Sequence, residues 1–351
     1  MTGGDSGIQL APSESRGSGA DELTTPNVLR LLSSGATGAI LMALGNGPLR
    51  TKELTGRVRG YSPRTIYRYA GKLAEIGVIE REERPGVPSK VLHRLSDPCG
   101  TDLHRLVDDF ATASLSRLPN GEVDAHSWGS LGLLADLWES GVIEELNLGP
   151  RTATELAQVR HGLSYHQVSR RTSLFTTSGF IRELQDQGRR RRFALTGRSR
   201  RAMALIAGIG RWRRRHVVFE GETGLSARET AVLLRTALPL VALPKHAGKG
   251  FEIGIFRDEN GEHGADATVW AKVGRDGSVR SSANPATSLD AWGHGRVATW
   301  VDSLLDGLPS GVQAGGDHRL IEACLRGLHA SLWKRHQPDD GRVASERQRH
   351  L

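Results

Sequence analysis

The stretch Gly60–Arg81, GYSPRTIYRYAGKLAEIGVIER, decides the fold of the region around it. Ser62 followed by Pro63 is a typical helix start, because a serine hydroxyl accepts from free backbone N–H groups and proline suits the first turn. Apolar residues then recur at helical spacing, and Gly77 ends the helix because glycine readily adopts a left-handed conformation. The sequence therefore predicts a helix from Pro63 to Ile76, followed by a strand.

The residues on either side complete a winged helix-turn-helix. Upstream, an apolar helix stops at Gly47-Pro48, and a short helix follows from Arg50 to Val58. Downstream, the strand turns near Pro85-Gly86 and returns through Val91 to Ser96. Helix, helix, turn, helix and a two-stranded hairpin are the elements of this DNA-binding motif.

The same pattern returns 102 residues later. Positions 47–81 share nine identities with positions 149–183, without a gap. In the second copy Ser164 caps a helix that runs through Ser178, and the wing is Gln187 to Arg192. We therefore predict a mainly α protein with small β wings and a C-terminal α+β domain. The predicted divisions are a disordered tail (1–27), winged helix-turn-helix domains at 28–120 and 121–220, an α+β effector or oligomerisation domain (221–335) and a second disordered tail (336–351).

The net charge of +8 is concentrated in the two copies. Residues 30–120 carry a net +5 and residues 121–219 a net +7, whereas residues 220–351 carry −1. A sustained positive surface attracts polyanions, nucleic acid above all. The alternative is a solvated face that serves only solubility.

A helix-turn-helix presents the N-terminal end of its recognition helix to the major groove. Arginine can donate two hydrogen bonds to guanine, and glutamine can pair in the same way with adenine. Arginines at a wing tip suit the phosphate backbone or a narrow minor groove. The alternative for both helices is that these are ordinary exposed residues on a packing helix. The predicted DNA-binding residues are Ser62, Arg64, Thr65, Tyr67, Arg68 and Lys72 in the first copy, Tyr165, His166, Gln167, Arg170 and Arg171 in the second, and Arg189, Arg190, Arg191 and Arg192 in the second wing.

Residues ~30–118 resemble the HxlR-type family of bacterial winged-helix regulators, and residues ~125–218 resemble it less closely. The motifs are the Gly-Pro turn, Arg50 to Leu54, Gly60 to Ser62, Gly77 to Arg81 and Leu95-Ser96. The resemblance implies a pair of winged helices, which one chain here supplies as an intramolecular pseudo-dimer on double-stranded DNA. Leu174 to Ser178 departs from the family pattern, so the second copy can have lost part of its DNA-reading function.

The C-terminal third has a different pattern, with strands at Phe251 to Phe256, Ala267 to Val273 and Ser278 to Ser282 and two later helices. It resembles the sterol-carrier-protein-2-like fold, which implies an apolar cavity for a small apolar ligand. A dimerisation or packing domain with a filled core is the alternative. The aromatic residues predicted to line such a pocket are Phe256, Trp270, Trp292 and Trp300.

Several classes of function are not expected. Cys99 and Cys324 lie far apart without metal-ligand spacing, so neither a disulfide framework nor a zinc site is predicted. The sequence contains no GxxxxGKS or GxxxxGKT, no strand-bounded GxGxxG, no HExxH and no GxSxG, so neither a catalytic role nor a cofactor is predicted. No apolar run is long enough to cross a bilayer and the N-terminus lacks a signal pattern, which favours the cytoplasm. The prediction is a DNA-binding transcription regulator; the alternative is a scaffold or ligand-binding protein with degenerate winged helices.

Overall fold

The computed structural model describes residues 23–84, 90–114, 125–159, 164–185, 190–217, 224–257, 265–282, 284–285 and 288–332. The C-terminal tail predicted to be disordered, most of the N-terminal one, and Arg189 lie outside these ranges. Three consecutive units follow one another along the chain.

The first unit has the predicted order of elements. The recognition helix and the glycine that ends it are where the sequence predicts them, with Gly77 at φ 74°. Its three strands form a sheet of order β1-β3-β2, in which β2 and β3 pair as an antiparallel hairpin. The elements are α1 (Thr25–Leu32), α2 (Ala36–Leu44), β1 (Leu49–Arg50), α3 (Thr51–Arg57), α4 (Pro63–Glu75), β2 (Ile79–Arg84), β3 (Lys90–Leu95) and α5 (Cys99–Ser114).

The predicted tail boundary at residue 27 is wrong. Helix α1 begins at Thr25, and the Thr24 side chain accepts a hydrogen bond from the backbone N–H of Asn27 at 3.4 Å. Thr25 is 1% exposed, so the helix start is part of the core. A threonine cap followed by Pro26 is an ordinary helix-start signal.

The second unit repeats this element order, and its sheet order β4-β6-β5 corresponds to β1-β3-β2. Local hydrogen bonds recur as well: Ser96 Oγ donates to the carbonyl of Gly77, and Thr196 Oγ1 donates to the carbonyl of Gly179. The elements are α6 (Ala125–Glu139), α7 (Val142–Asn147), β4 (Arg151–Thr152), α8 (Ala153–Val159), α9 (Tyr165–Thr177), β5 (Ile181–Gln185), β6 (Arg191–Leu195), α10 (Gly197–Arg201) and α11 (Met203–His216).

After β6 the second unit has two helices, α10 and α11, which are separated at Ala202. The short helix α10 begins with Thr196, whose side chain accepts from the backbone N–H of Ser199 at 3.4 Å. The long apolar run that follows is buried in the middle of the molecule as α11, with Leu205, Ile206 and Ile209 almost fully buried.

The third unit is a five-stranded sheet of order β11-β10-β7-β8-β9 with three helices. All neighbouring strands are antiparallel except β7 and β10, which are parallel. Two of its strands, β10 and β11, are glycine-rich and were not predicted. The elements are α12 (Ala227–Ala237), β7 (Gly250–Phe256), β8 (Ala267–Val273), β9 (Val279–Ser282), β10 (Ala291–Arg296), α13 (Val297–Asp306), β11 (Gln313–Gly316) and α14 (His318–Leu332).

The three units share one continuous apolar core. Helix α1 packs against α6, and α5 packs against α11, so helices at corresponding positions of the first two units contact each other. At the second contact a Cβ on Gly208 would lie 2.2 Å from Leu106 Cδ1, so a larger residue there would require the Leu106 side chain to move. Helix α11 also packs against α13 of the third unit.

None of the described helices is long and apolar enough to cross a bilayer alone. The pair α1 and α2 meets the length and composition criteria together, and the two helices are bent by 83° at the break between them.

Candidate nucleic-acid interface

Helix α4 presents a polar face to solvent because its apolar face is fixed in the core. Ile66, Ala70 and Leu73 are buried. Ser62 Oγ accepts from the backbone N–H of Thr65 at 3.2 Å, and the two hydroxyl oxygens lie 2.9 Å apart. Both hydroxyls therefore stabilise the helix start. Ser62, Arg64, Tyr67, Arg68 and Lys72 are exposed, and Thr65 is half-buried.

The structure adds Tyr69, which the sequence analysis did not select. Its half-buried ring lies 4.8 Å from the Arg68 guanidinium carbon and 5.7 Å from Lys72 Nζ. Cation–π contacts of this kind hold both side chains near one orientation without neutralising their charge. The sequence signal was Tyr69 with Arg68 directly before it and Lys72 three residues after it.

Helix α9 is placed in the same way but carries a different surface. Val168 and Phe175 are buried, and Tyr165, His166, Gln167 and Arg170 are exposed, whereas Arg171 is half-buried. The side-chain oxygen of Gln167, Oε1, accepts from the backbone N–H of Ser164 at 2.9 Å. The Ser164 side chain accepts from the backbone N–H of Gln167 in return, which completes a capping box. The first of these bonds holds the Gln167 side chain at the helix start, so pairing with adenine through both side-chain atoms competes with the cap.

A groove of about 1030 Å³ lies between α9 and the hairpin of β5 and β6. Its helix side includes Tyr165 and Ser169, and its wing side includes Glu183 and Arg190. Glu183 corresponds to Arg81 of the first unit, so a cation there is replaced by an anion. Leu174, which is 45% exposed, corresponds to Lys72. The second surface is thus less suited to phosphate.

The arginines of the second wing are partly paired within their own unit. Arg191 Nε lies 3.2 Å from Glu183 Oε1, and Arg192 Nη2 lies 3.9 Å from Glu155 Oε1. The Glu155 pKa is lowered, chiefly because the carboxylate accepts the backbone N–H of Thr152. Arg190 is exposed. These exposed pairs are weak in water, so the arginines can exchange a carboxylate for a phosphate at small cost.

Two arginines of α11, Arg211 and Arg214, form ion pairs with carboxylates of α13. Arg214 Nη2 lies 2.8 Å from Asp302 Oδ2, and Arg211 lies 3.1 Å from Asp302 and 2.8 Å from Asp306. Both arginine side chains are mostly buried against α13. They join the second unit to the third.

The four aromatic residues predicted to line a ligand pocket lie on two different sides of the sheet. Trp300 is 1% exposed among the core side chains, and its indole N–H donates to the carbonyl of Gly254 at 3.0 Å. Phe256, Trp270 and Trp292 belong to strand positions that point to the opposite, outer face of the sheet. The alternating burial of β7 and β10 marks the Trp300 side as the core.

Comparison with known proteins supports a relationship for the first unit. Residues 31–117 match the model of the HxlR-like helix-turn-helix family. A structural match is the crystal structure of the diamide-treated YodB from B. subtilis, with 28% identity over 24% of this chain and 81% of that chain. Its TM-score is 0.22, a value that does not establish a shared overall fold. No curated protein matches the chain.

Proposed function

We propose that this protein is a DNA-binding transcription regulator that binds duplex DNA through α4. The observation that carries the proposal is the exposed row Arg64, Arg68 and Lys72 on a helix that the HxlR-like match includes. Such a row can donate to guanine edges and phosphates from the major groove. The proposal assigns regulation rather than catalysis, and a cytoplasmic location suits it.

We further propose that the second unit supplies a second winged helix, so that one chain forms a pseudo-dimer. Support comes from the contacts between corresponding helices, α1 with α6 and α5 with α11. Contact between like elements is the signature of a two-fold interface, which in a homodimer joins two copies. The two recognition helices carry different side chains, so the expected operator is asymmetric, with its better-read half under α4.

The test is the binding of the full chain to a mixed pool of duplexes that includes its own upstream region. Each neutralised phosphate is expected to add about −0.9 to the slope of log K against log salt concentration. The double variant Arg64→Ala, Arg68→Ala is expected to lose most of the affinity. Arg326→Ala is the matched control, because this exposed arginine lies on α14 in the third unit. An unchanged affinity in the double variant contradicts the proposal.

The stoichiometry tests the pseudo-dimer separately. One chain per operator duplex, measured by sedimentation, is expected if the second recognition helix comes from the same chain. Two chains per duplex would instead indicate that a homodimer brings two copies of α4 to the operator. Absence of duplex binding at low salt would favour the scaffold or ligand-binding alternative.

A further inference from the structure

The outer face of the C-terminal sheet carries an aromatic cluster that duplex binding through α4 does not use. Trp292, Glu252 and Trp270 lie in register across β10, β7 and β8, so their side chains share this face. Trp270 Nε1 donates to Glu252 Oε2 at 3.0 Å, and His294 Nε2 lies 3.2 Å from Glu252 Oε1. The Glu252 carboxylate therefore holds the rings of Trp270 and His294 in place.

Two glycines leave room for the rings of Trp292 and His294 to lie against the sheet. A Cβ on Gly315, directly opposite Trp292, would lie 2.4 Å from two atoms of the indole ring. A Cβ on Gly254 would lie 2.6 Å from His294 Cδ2. The Trp292 ring therefore lies across its cross-strand glycine with the centre of the His294 ring 4.7 Å away, and the residue is 38% exposed.

Two cations lie beside Trp270 at one edge of this face. Lys272 and Arg280 are directly opposite each other on β8 and β9, and both are exposed. Like charges at opposed positions destabilise a strand pair, and a bound anion would relieve this repulsion. They border a depression of about 510 Å³ that Arg275 and Asp276 also line. Asp276 accepts from the backbone N–H and the hydroxyl of Ser278 in the same turn.

We propose that this face binds a single-stranded nucleic acid, with bases stacked on Trp292 and Trp270 and a phosphate held by Lys272 and Arg280. Base–aromatic stacking needs an accessible base face, which a duplex hides within its own stack. The two tryptophans are separated by one strand, so their backbones are about 10 Å apart. Lys272 lies two residues beyond Trp270 on β8, and Arg280 is opposite Lys272 on β9. The face from Trp292 to these cations is therefore longer than one nucleotide. The partner that this geometry fits is therefore a strand rather than a free nucleotide.

The experiment measures binding of labelled single-stranded oligonucleotides, about twelve nucleotides long, to the full chain by fluorescence anisotropy. Trp292→Leu and Trp270→Leu are each expected to weaken binding on the order of tenfold, from the stacking energy of one base. Lys272→Ala is expected to weaken binding and to flatten its salt dependence. Leu308→Ala, at an exposed apolar residue between α13 and β11, and Arg326→Ala are the matched controls.

Duplex binding in the same variants separates this proposal from the proposed function. Arg68→Ala is expected to weaken duplex binding and to leave single-strand binding unchanged, and Trp292→Leu is expected to do the reverse. The proposal is overturned if Trp292→Leu and Trp270→Leu melt like the parent protein and bind single strands equally well. It is also overturned if Arg68→Ala removes single-strand binding, or if a mononucleotide competes as well as the oligonucleotide at equal nucleotide concentration. A second copy of the chain as the occupant would appear as a concentration-dependent dimer that Trp292→Leu dissociates without affecting single-strand binding.

Discussion

The indole N–H of Trp212 donates to the backbone carbonyl of Cys99 at 2.9 Å. This bond joins α11 of the second unit to the first turn of α5 in the first unit. His216 Nε2 lies 3.0 Å from Asp102 Oδ2 one turn further on. The contact between the first two units is therefore specified by polar bonds as well as by apolar packing.

Trp212→Phe is expected to destabilise the protein by about 1 kcal/mol, because it removes one buried hydrogen bond and keeps most of the apolar contact. Trp212→Ala is expected to lower the free energy of unfolding by about 3–5 kcal/mol. The tryptophan is only 3% exposed, so removal of its side chain leaves a cavity in the core. Urea unfolding followed by circular dichroism measures both. Equal stability of the Phe variant and the parent would show that the hydrogen bond contributes nothing net.

Base reading and backbone contact are expected to separate by element. Arg64→Ala and Arg68→Ala should each cost about 1–3 kcal/mol of operator binding and relax the preference at one base position. The pair Arg190→Ala, Arg191→Ala should weaken all sequences alike and flatten the salt slope. Selection of binding sites from a random duplex library measures both effects. If the wing variant changes the preferred sequence and the helix variants do not, these roles are reversed.

Asp302→Ala is expected to destabilise the protein by about 1–3 kcal/mol. It leaves the mostly buried Arg211 and Arg214 without this partner, although the carboxylate itself is partly exposed, which reduces the loss. Glu322→Ala is the control, because its pair with Arg326 is exposed on one helix and should change stability by less than about 0.5 kcal/mol. Similar melting temperatures for the two variants would contradict this.

The stability of the first unit is expected to fall as pH decreases through about 6.5, the pKa of histidine in an unfolded chain. Burial, assisted by the charge of Arg81, lowers the pKa of His93 in the folded protein. The unfolded chain therefore binds the proton more readily, so this contribution to stability is present above pH 6.5 and is lost on acidification.

The second unit supplies the matched substitution for this effect. Phe193 pairs with β4 as His93 pairs with β1, so a phenyl ring fits the equivalent site. His93→Phe should lose less stability between pH 7.5 and pH 5.5 than the parent, and Phe193→His should lose more. Thermal melts at the two pH values measure the differences. An identical pH dependence in all three proteins would exclude His93 as the source.

A chain that ends at Gly221 is expected to aggregate or to unfold without cooperativity. Arg211 and Arg214 lose Asp302 and Asp306, and the α11 surface that packs on α13 becomes exposed. Exposed apolar surface of this kind promotes association. Analytical sedimentation and a thermal melt provide the measurement. A monomer with a sharp transition would show that the third unit is an independent domain.

The recognition helix could be predicted from the sequence because its signals are local. Ser62 and Pro63 start α4, Gly77 ends it, and the apolar spacing assigns Ile66 and Leu73 to the core. These preferences depend on backbone conformation and side-chain burial within a few residues. The exposed positions of Arg64, Arg68 and Lys72 follow from the same spacing. The recurrence of the pattern after 102 residues could be read for the same reason.

Only the tertiary structure decided which long-range partners the polar and aromatic side chains have. Nothing in the local sequence indicates a partner for Arg211 and Arg214, and in the structure both pair with Asp302, which is 91 and 88 residues away. Trp300 and Trp292 look alike in sequence, yet one is in the core and the other on the outer face of the sheet. Strands β10 and β11 are rich in glycine and therefore carry little β-propensity of their own. Their pairing depends on the neighbouring strands and on the rings that lie across them. Partners of this kind are set by the packing of distant elements, which local sequence preferences do not encode.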